Sequence, residues 1–292
     1  MKKKNKWVLG SRPRTLPAAI APVLVGTSLI QIDANAINWL NALLALSVSL
    51  LLQIGVNYAN DYSDGIKGTD AERVGPVRLV ASGLATAKQV KQAAYLTFFA
   101  ASVAGLILSI RTSPWLILVG VISIIAAWNY TGGENPYGYR GFGEISVFVF
   151  FGIVATMGSY FAQSQKLTWQ AFLIALPMGA LACSLLAINN LRDLPKDLLV
   201  SKKTMAVRLG DQRARKALLL LLIVAQLSSA LIFLITPWGL ITLLALPLTI
   251  AISKEIMSGA SGKALIPLLG KTGKLQLAMA LLITLALTLG RA

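Results

Sequence analysis

The sequence predicts an all-α polytopic membrane protein of nine transmembrane helices, and three observations carry that reading. The chain has 292 residues, of which 56% are hydrophobic and 13% charged, and its mean hydropathy is +0.70. Soluble domains carry about 25% charged residues, roughly twice as many. Apolar runs long enough to cross a bilayer recur along the whole chain. The basic residues, finally, sort to one side of those runs when the runs are made to alternate across a membrane.

Residues 1–14 form a basic head, Met-Lys-Lys-Lys-Asn-Lys followed by Ser11-Arg-Pro-Arg-Thr15. Nine apolar segments follow at roughly 15–31, 37–60, 92–110, 114–130, 144–163, 168–190, 216–235, 238–253 and 273–290. The first contains Pro17 and Pro22. The eighth is short and contains Pro247. Proline is tolerated in a spanning helix when its neighbours re-satisfy the backbone. With the N-terminus in the cytoplasm, every one of the 27 Lys and Arg residues except Arg111, Lys166 and Arg291 falls on the cytoplasmic side, and of the 11 acids only Asp33 falls outside. The sequence thus predicts one integral-membrane domain over 1–292 in the cell membrane, with its C-terminus outside. Two long cytoplasmic loops, about 61–91 and 191–215, would cap whatever site the helices enclose. No cleavable secretory signal is expected, because the start is polar and basic and no small-residue cleavage site follows a short apolar stretch.

The same sorting accounts for the formal net charge of +16. It is a topology signal with some attraction to anionic lipid, not the footprint of a nucleic-acid binder. The single cysteine, Cys183, lies inside an apolar run and excludes an intrachain disulfide. The absence of histidine excludes His-ligated haem, a His-based zinc site and a Ser-His triad.

Two polar stretches stand out against this background. Asn57, Asp61 and Asp64 follow the second apolar run at i, i+4 and i+7, on one face of the helix if it continues. Asn189, Asp193 and Asp197 follow the sixth run at i, i+4 and i+8. Each ladder continues toward lysine, Lys67 in one case and Lys202 and Lys203 in the other, which suggests a four-helix internal repeat. A lone acid at a helix end usually caps, pairs or is solvated. Two ladders with the same Asn-x-x-x-Asp step, both predicted on the cytoplasmic side, point instead to a functional site. Carboxylate and amide oxygens suit Mg²⁺, which is usually held by one or two carboxylates plus substrate phosphates. Basic residues in the loops would take the remaining phosphate charge. The candidates are Lys67, Arg73, Arg78, Arg192, Lys202, Lys203 and Arg208, with Arg12 and Arg14 from the head. A site of this kind suits an amphiphile, with its diphosphate in the mouth and its hydrocarbon among the helices. Tyr58, Tyr62, Trp128, Tyr130, Tyr137 and Tyr139 are the aromatic candidates to face an allylic cation there.

The flanking words carry a resemblance. Asn57-Tyr-Ala-Asn-Asp-Tyr-Ser-Asp-Gly-Ile-Lys-Gly-Thr-Asp70 and Asn189-Asn-Leu-Arg-Asp-Leu-Pro-Lys-Asp197 resemble the paired acidic motifs of the UbiA superfamily of intramembrane prenyltransferases. Arg73-Val-Gly-Pro-Val-Arg78, Tyr130-Thr-Gly-Gly, Gly141-Phe-Gly-Glu144 and Lys203-Thr-Met-Ala-Val-Arg-Leu-Gly210 resemble its menaquinone branch. The resemblance implies nine helices around a central cavity. It also implies transfer of a polyprenyl chain from polyprenyl diphosphate to 1,4-dihydroxy-2-naphthoate, with loss of CO2 and pyrophosphate. By the same resemblance Asn57, Asp61, Asp64, Asp193 and Asp197 would hold Mg²⁺-diphosphate. Lys67, Arg73, Arg78, Asn189, Asn190, Lys202 and Lys203 would bind substrate. The proton acceptor stays open among Tyr130, an Asp, water and the departing pyrophosphate. Other acceptors of the superfamily, 4-hydroxybenzoate, a chlorin or haem, are the nearest alternative. A CDP-alcohol phosphotransferase would need one compact Asp block, and an ion-coupled transporter would need acids near the midplane.

Overall fold

The structure is a computed structural model that describes residues 5–68, 75, 77–200 and 202–291. Among these residues the regular secondary structure is all helical, and the nine predicted segments each form a helix. They are α1 (Pro17–Ser28, prolonged by the 3-10 turn Leu29–Asp33), α2 (Trp39–Ile66), α3 (Ala87–Arg111), α4 (Trp115–Asn129), α5 (Gly143–Ser164), α6 (Trp169–Leu199), α7 (Asp211–Leu234), α8 (Pro237–Met257) and α9 (Gly262–Leu289). Seven of them, α2, α3 and α5–α9, are long and apolar enough to cross a bilayer. An eighth span follows if the N-terminal helical turns Lys6–Thr15, bent by 55° from Pro17–Asp33, are joined to α1.

The ninth segment, α4, has 15 residues, about 22 Å of helix against a hydrocarbon core of about 30 Å. Nine spans is therefore an approximate count. The weak elements are α4 and α1, which reaches span length only when joined to the bent N-terminal turns, and not the proline-containing eighth. In α8 the chain runs as a 3-10 helix over Pro237–Ala245 and becomes α-helical at Leu246. Pro247 thus falls at the junction, in the first turn of that α-helical part, where proline's fixed φ suits a helix.

Helix ends are written in the sequence. Asn38 accepts from the Asn41 amide and starts α2. Thr86 and Gln89 form a reciprocal capping box at α3, and Thr168 accepts from Ala171 at α6. Lipid-facing surfaces are apolar: Leu43, Leu96, Phe99 and Ile110 are all exposed. By contrast α6 is apolar on all sides and mostly buried, the pattern of a central helix. It packs against α1, α5, α7 and α9. α2 packs on α1, α3, α4 and α5 but makes no comparable contact with α6. α1 and α9 run parallel: Gly273 lies beside Arg14 near their starts, and Gln31 donates to Thr288 Oγ1 at 3.1 Å at their C-terminal ends.

The space between α2 and α6 is a cavity of about 960 Å³. On α2 its lining runs from Ala45 to Asp64, about 28 Å at the helical rise. Val23, Ala45 and Leu108 belong to the small apolar cluster at its far end. α5 contributes Phe150, Phe151 and Val154 from a π-helical turn over Phe148–Val154. Close backbone approach holds the wall together. A Cβ on Gly26 would stand 2.1 Å from the carbonyl oxygen of Thr156, and one on Gly152 would stand 2.6 Å from Gly179 Cα. Gly26→Ala therefore forces α1 and α5 apart. It is expected to cost about 1–3 kcal/mol, the usual penalty of overpacking, read as a lowered midpoint of thermal unfolding in detergent.

Candidate active site

The polar end of α2 fastens three segments that are far apart in sequence. Asn57 donates through Nδ2 to Ser11 O at 2.9 Å and to Thr15 Oγ1 at 3.2 Å, which fixes the turn carrying Arg12 and Arg14. Asn60 accepts from Thr131 Oγ1 at 2.7 Å. Lys67 donates to Thr131 O and Gly133 O, each at 2.9 Å, so the connection after α4 is held at two points. Asp61 accepts from the amides of Leu79 at 2.7 Å and Val80 at 3.1 Å. Asp64 accepts from Arg78 Nη2 at 3.1 Å and from the Tyr139 hydroxyl at 2.5 Å.

The end of α6 stands across the cavity. Asn189, Asn190, Asp193 and Asp197 all line it. Asp193 accepts from Nε and Nη2 of Arg192 at 2.8 and 2.7 Å. Asn190 donates through Nδ2 to Glu144 Oε1 at 2.9 Å. The loop after α6 then closes on the loop after α4. Lys203 N donates to Tyr139 O at 2.9 Å, and Arg208 Nη2 to Arg140 O at 2.9 Å. Lys67 and Lys202 both lie over the Tyr139 ring, at 5.0 and 4.5 Å from its centroid. Burial holds the Lys67 ammonium below the ordinary lysine range; the Asp64 carboxylate opposes this and Lys202 adds to it. Burial pushes the Tyr130 phenol above its ordinary range, reinforced by the Glu144 charge.

One end of the cavity is thus lined by Asn57, Asn60, Asp64, Arg78, Asn189, Asn190, Asp193, Asp197 and Lys202, together with Arg12, Arg14 and Tyr130. The donor set is one of hard oxygens. Among the described residues no three acids, histidines or cysteines converge on one point. A cation here would take one or two carboxylates, amide oxygens and the oxygens of a bound anion, which fits Mg²⁺.

The comparisons agree with this architecture. Residues 19–265 match the model of the UbiA prenyltransferase family. The chain is 50% identical over 286 residues to the 1,4-dihydroxy-2-naphthoate octaprenyltransferase of Mycobacterium tuberculosis (strain ATCC 25618 / H37Rv), covering 98% of each chain. This chain belongs to the UbiA prenyltransferase family. It is also 39% identical to the 1,4-dihydroxy-2-naphthoate octaprenyltransferase of Escherichia coli (strain K12), over 98% of this chain and 96% of that one. The structure of a UbiA homolog from Archaeoglobus fulgidus bound to DMAPP and Mg2+ matches with a TM-score of 0.70 at 16% identity, covering 97% of this chain and 99% of that one.

Within the UbiA fold the predicted site residues divide. Asp64, Asp193, Asp197, Asn57, Asn189, Asn190, Arg78, Lys202 and Tyr130 meet at the cavity. Lys67 and Lys203 are not on its wall: Lys67 clamps two carbonyls, and Lys203 is exposed. Arg73 and Asp70 lie outside the described residues. Asp61 differs most from the expectation. It is 0% exposed and absent from the cavity wall, and its two oxygens each hold a backbone amide of the segment that carries Arg78.

Asn60 is the residue the sequence reading passed over, although Asn60-x-x-x-Asp64 repeats the ladder step within the same stretch. Removing the Asp61 acceptor leaves two buried amides unpaired, at about 1–3 kcal/mol each. Asp61→Ala is accordingly expected to speed amide hydrogen exchange across 77–85 while leaving exchange at the end of α6 unchanged.

Proposed function

We propose that this chain transfers a polyprenyl group from polyprenyl diphosphate to 1,4-dihydroxy-2-naphthoate, releasing pyrophosphate and CO2 and giving demethylmenaquinol. One observation carries the reading. A cavity about 28 Å long along α2, with an acid, amide and guanidinium mouth and an apolar far part, sits in a chain that is 50% identical, end to end, to a 1,4-dihydroxy-2-naphthoate octaprenyltransferase.

The diphosphate belongs at the mouth between α2 and α6. Arg78 and Lys202 are the cations on that part of the wall, with Arg12 and Arg14 facing from the N-terminal turn. They neutralise the diphosphate and stabilise the charge that develops as the allylic C–O bond breaks. Asp64, Asp193 and Asp197, with the amide oxygen of Asn57, would hold Mg²⁺. Asp61 acts at one remove, by holding the segment that presents Arg78. When bound, the ion supplies Lewis-acid stabilisation of the leaving oxygens. The apolar wall of Phe150, Phe151 and Val154 takes the hydrocarbon and excludes water from the prenyl cation. Tyr130 offers a neutral phenol at the boundary between the two regions. The ring carbon bearing the carboxylate attacks the prenyl carbon, and loss of CO2 from that ring carbon returns the electron pair to the ring and restores aromaticity. The charge sorting supports a mouth on the cytoplasmic side of the cell membrane, with the N-terminus on that side and the C-terminus outside.

The test is turnover by purified protein given a polyprenyl diphosphate and 1,4-dihydroxy-2-naphthoate, with Mg²⁺ or excess EDTA. Release of CO2 and prenylated quinol only with Mg²⁺ is the expected result. Pyrophosphate release without naphthoate prenylation would redirect the acceptor to another aromatic acid. Asp193→Ala is expected to lower kcat at least a hundredfold, the scale on which single electrostatic contributors act, with the protein still folded in detergent. Near-full activity in that variant would remove α6 from the site.

A further inference from the structure

Glu144 poses a problem that the reaction as described does not solve. It opens α5, lies behind the cavity wall, and is not part of the wall itself. Its Oε1 accepts from Asn190, while its Oε2 is buried with no hydrogen-bond partner among the described residues. A buried carboxylate oxygen without a donor is costly and calls for a reason. The reason lies in what a carboxylate does to a neighbouring amide. Glu144 Oε1 accepts from Asn190 Nδ2 at 2.9 Å, so the NH2 of that amide is turned to Glu144. The Asn190 carbonyl oxygen is then turned the other way, and Asn190 lines the cavity.

A second polar group stands nearby. Tyr130 Oη and Leu186 Cδ2 lie 3.1 and 3.3 Å from the point where a Cβ on Gly143 would stand, directly before Glu144. Gly143 has no side chain, which leaves room for that phenol. Burial and the Glu144 charge raise the Tyr130 phenol, so it stays protonated as a donor. Tyr137, the neighbouring ring, is already engaged with Ser146 and Ala126 O.

We propose that Asn190 Oδ1, oriented by Glu144, and the Tyr130 hydroxyl form the subsite that reads the aromatic co-substrate: a hydroxy-aromatic acid, its ring O–H donating to Asn190 and a second ring oxygen accepting from Tyr130. Glu144 is a positioning residue there. The inference rests on the function proposed above and adds which side chains select the acceptor. The wall near Asn190 and Tyr130 offers one acceptor and one donor beside the apolar Val147 and Leu186. A flat ring bearing both kinds of group fits it, whereas a diphosphate would find no cation in Asn190 or Tyr130.

The experiment compares Glu144→Met and Glu144→Gln in the full-length protein, measuring kcat and both KM values alongside equilibrium binding of 1,4-dihydroxy-2-naphthoate. Glu144→Met is expected to raise the acceptor KM about tenfold, the effect of losing one oriented hydrogen bond. The polyprenyl diphosphate KM and the Mg²⁺ activation curve should not move. Glu144→Gln keeps an acceptor for Asn190 and should restore the acceptor KM. Asn190→Ser, which withdraws the amide oxygen, should copy Glu144→Met and replaces it if that variant does not fold.

An unmoved acceptor KM in Glu144→Met overturns the subsite, as do equal rises in both KM values. Loss of kcat in Glu144→Gln with both KM values intact also overturns it, in favour of a proton-transfer role for Glu144. If the unmodified protein does not turn over 1,4-dihydroxy-2-naphthoate, the proposed function fails. Binding then decides the subsite alone: tenfold weaker binding in Glu144→Met keeps it, and unchanged binding overturns it.

Discussion

Everything at the mouth of this protein depends on the burial of carboxylates at the end of one helix. Asp61 and Asp64 are almost inaccessible, and a buried carboxylate is tolerated only when its oxygens find donors. Asp61 finds two backbone amides. Asp64 finds a guanidinium and a phenol. Those donors come from separate segments of chain, so satisfying the acids also assembles the loops. The desolvation cost and the loop architecture are one interaction seen from two sides. Most of the polar residues that flank the site act as ties: Asn57 on the N-terminal turn, Asn60 and Lys67 on the connection after α4.

The cavity separates two kinds of chemistry by dielectric. Its mouth gathers groups that hold or oppose anions, and its depth is lined by groups that can do neither. Charges placed where water is scarce act more strongly than they would on a surface. The π-helical turn in α5 belongs to this design. It sits on the wall at mid-depth, and such turns often occur at functional positions.

Much of the fold was legible in the sequence because a bilayer imposes a simple rule on composition. The nine helical segments followed from counting apolar runs. The α6 ladder was legible too: Asn189, Asp193 and Asp197 project where their spacing puts them. On α2 the same rule was less reliable. Asn57, Asp61 and Asp64 share a face within the tolerance of helical spacing, yet Asp61 turns from the cavity to a loop that passes beside it. Spacing fixes an angle about a helix axis; it does not reveal which neighbour will occupy each sector. Lys67 and Lys203 were ambiguous for a similar reason, since an ammonium group that binds phosphate and one that binds carbonyls look the same in a sequence. Glu144 was visible only as a letter in a family word, because its role is set by Asn190, 46 positions away.

The shortness of α4 has a consequence for the membrane itself. At about 22 Å it cannot match a hydrocarbon layer of about 30 Å, so the bilayer must thin beside it or the flanking polar groups must be drawn inward. α4 also supplies Leu116, Ile124 and Ala127 to the cavity wall. The elastic deformation of the lipid is thus concentrated along the same stretch of perimeter that encloses the apolar chamber. Thicker and thinner bilayers will press on that wall differently, which makes acyl-chain length in the surrounding lipid a mechanical variable of this enzyme.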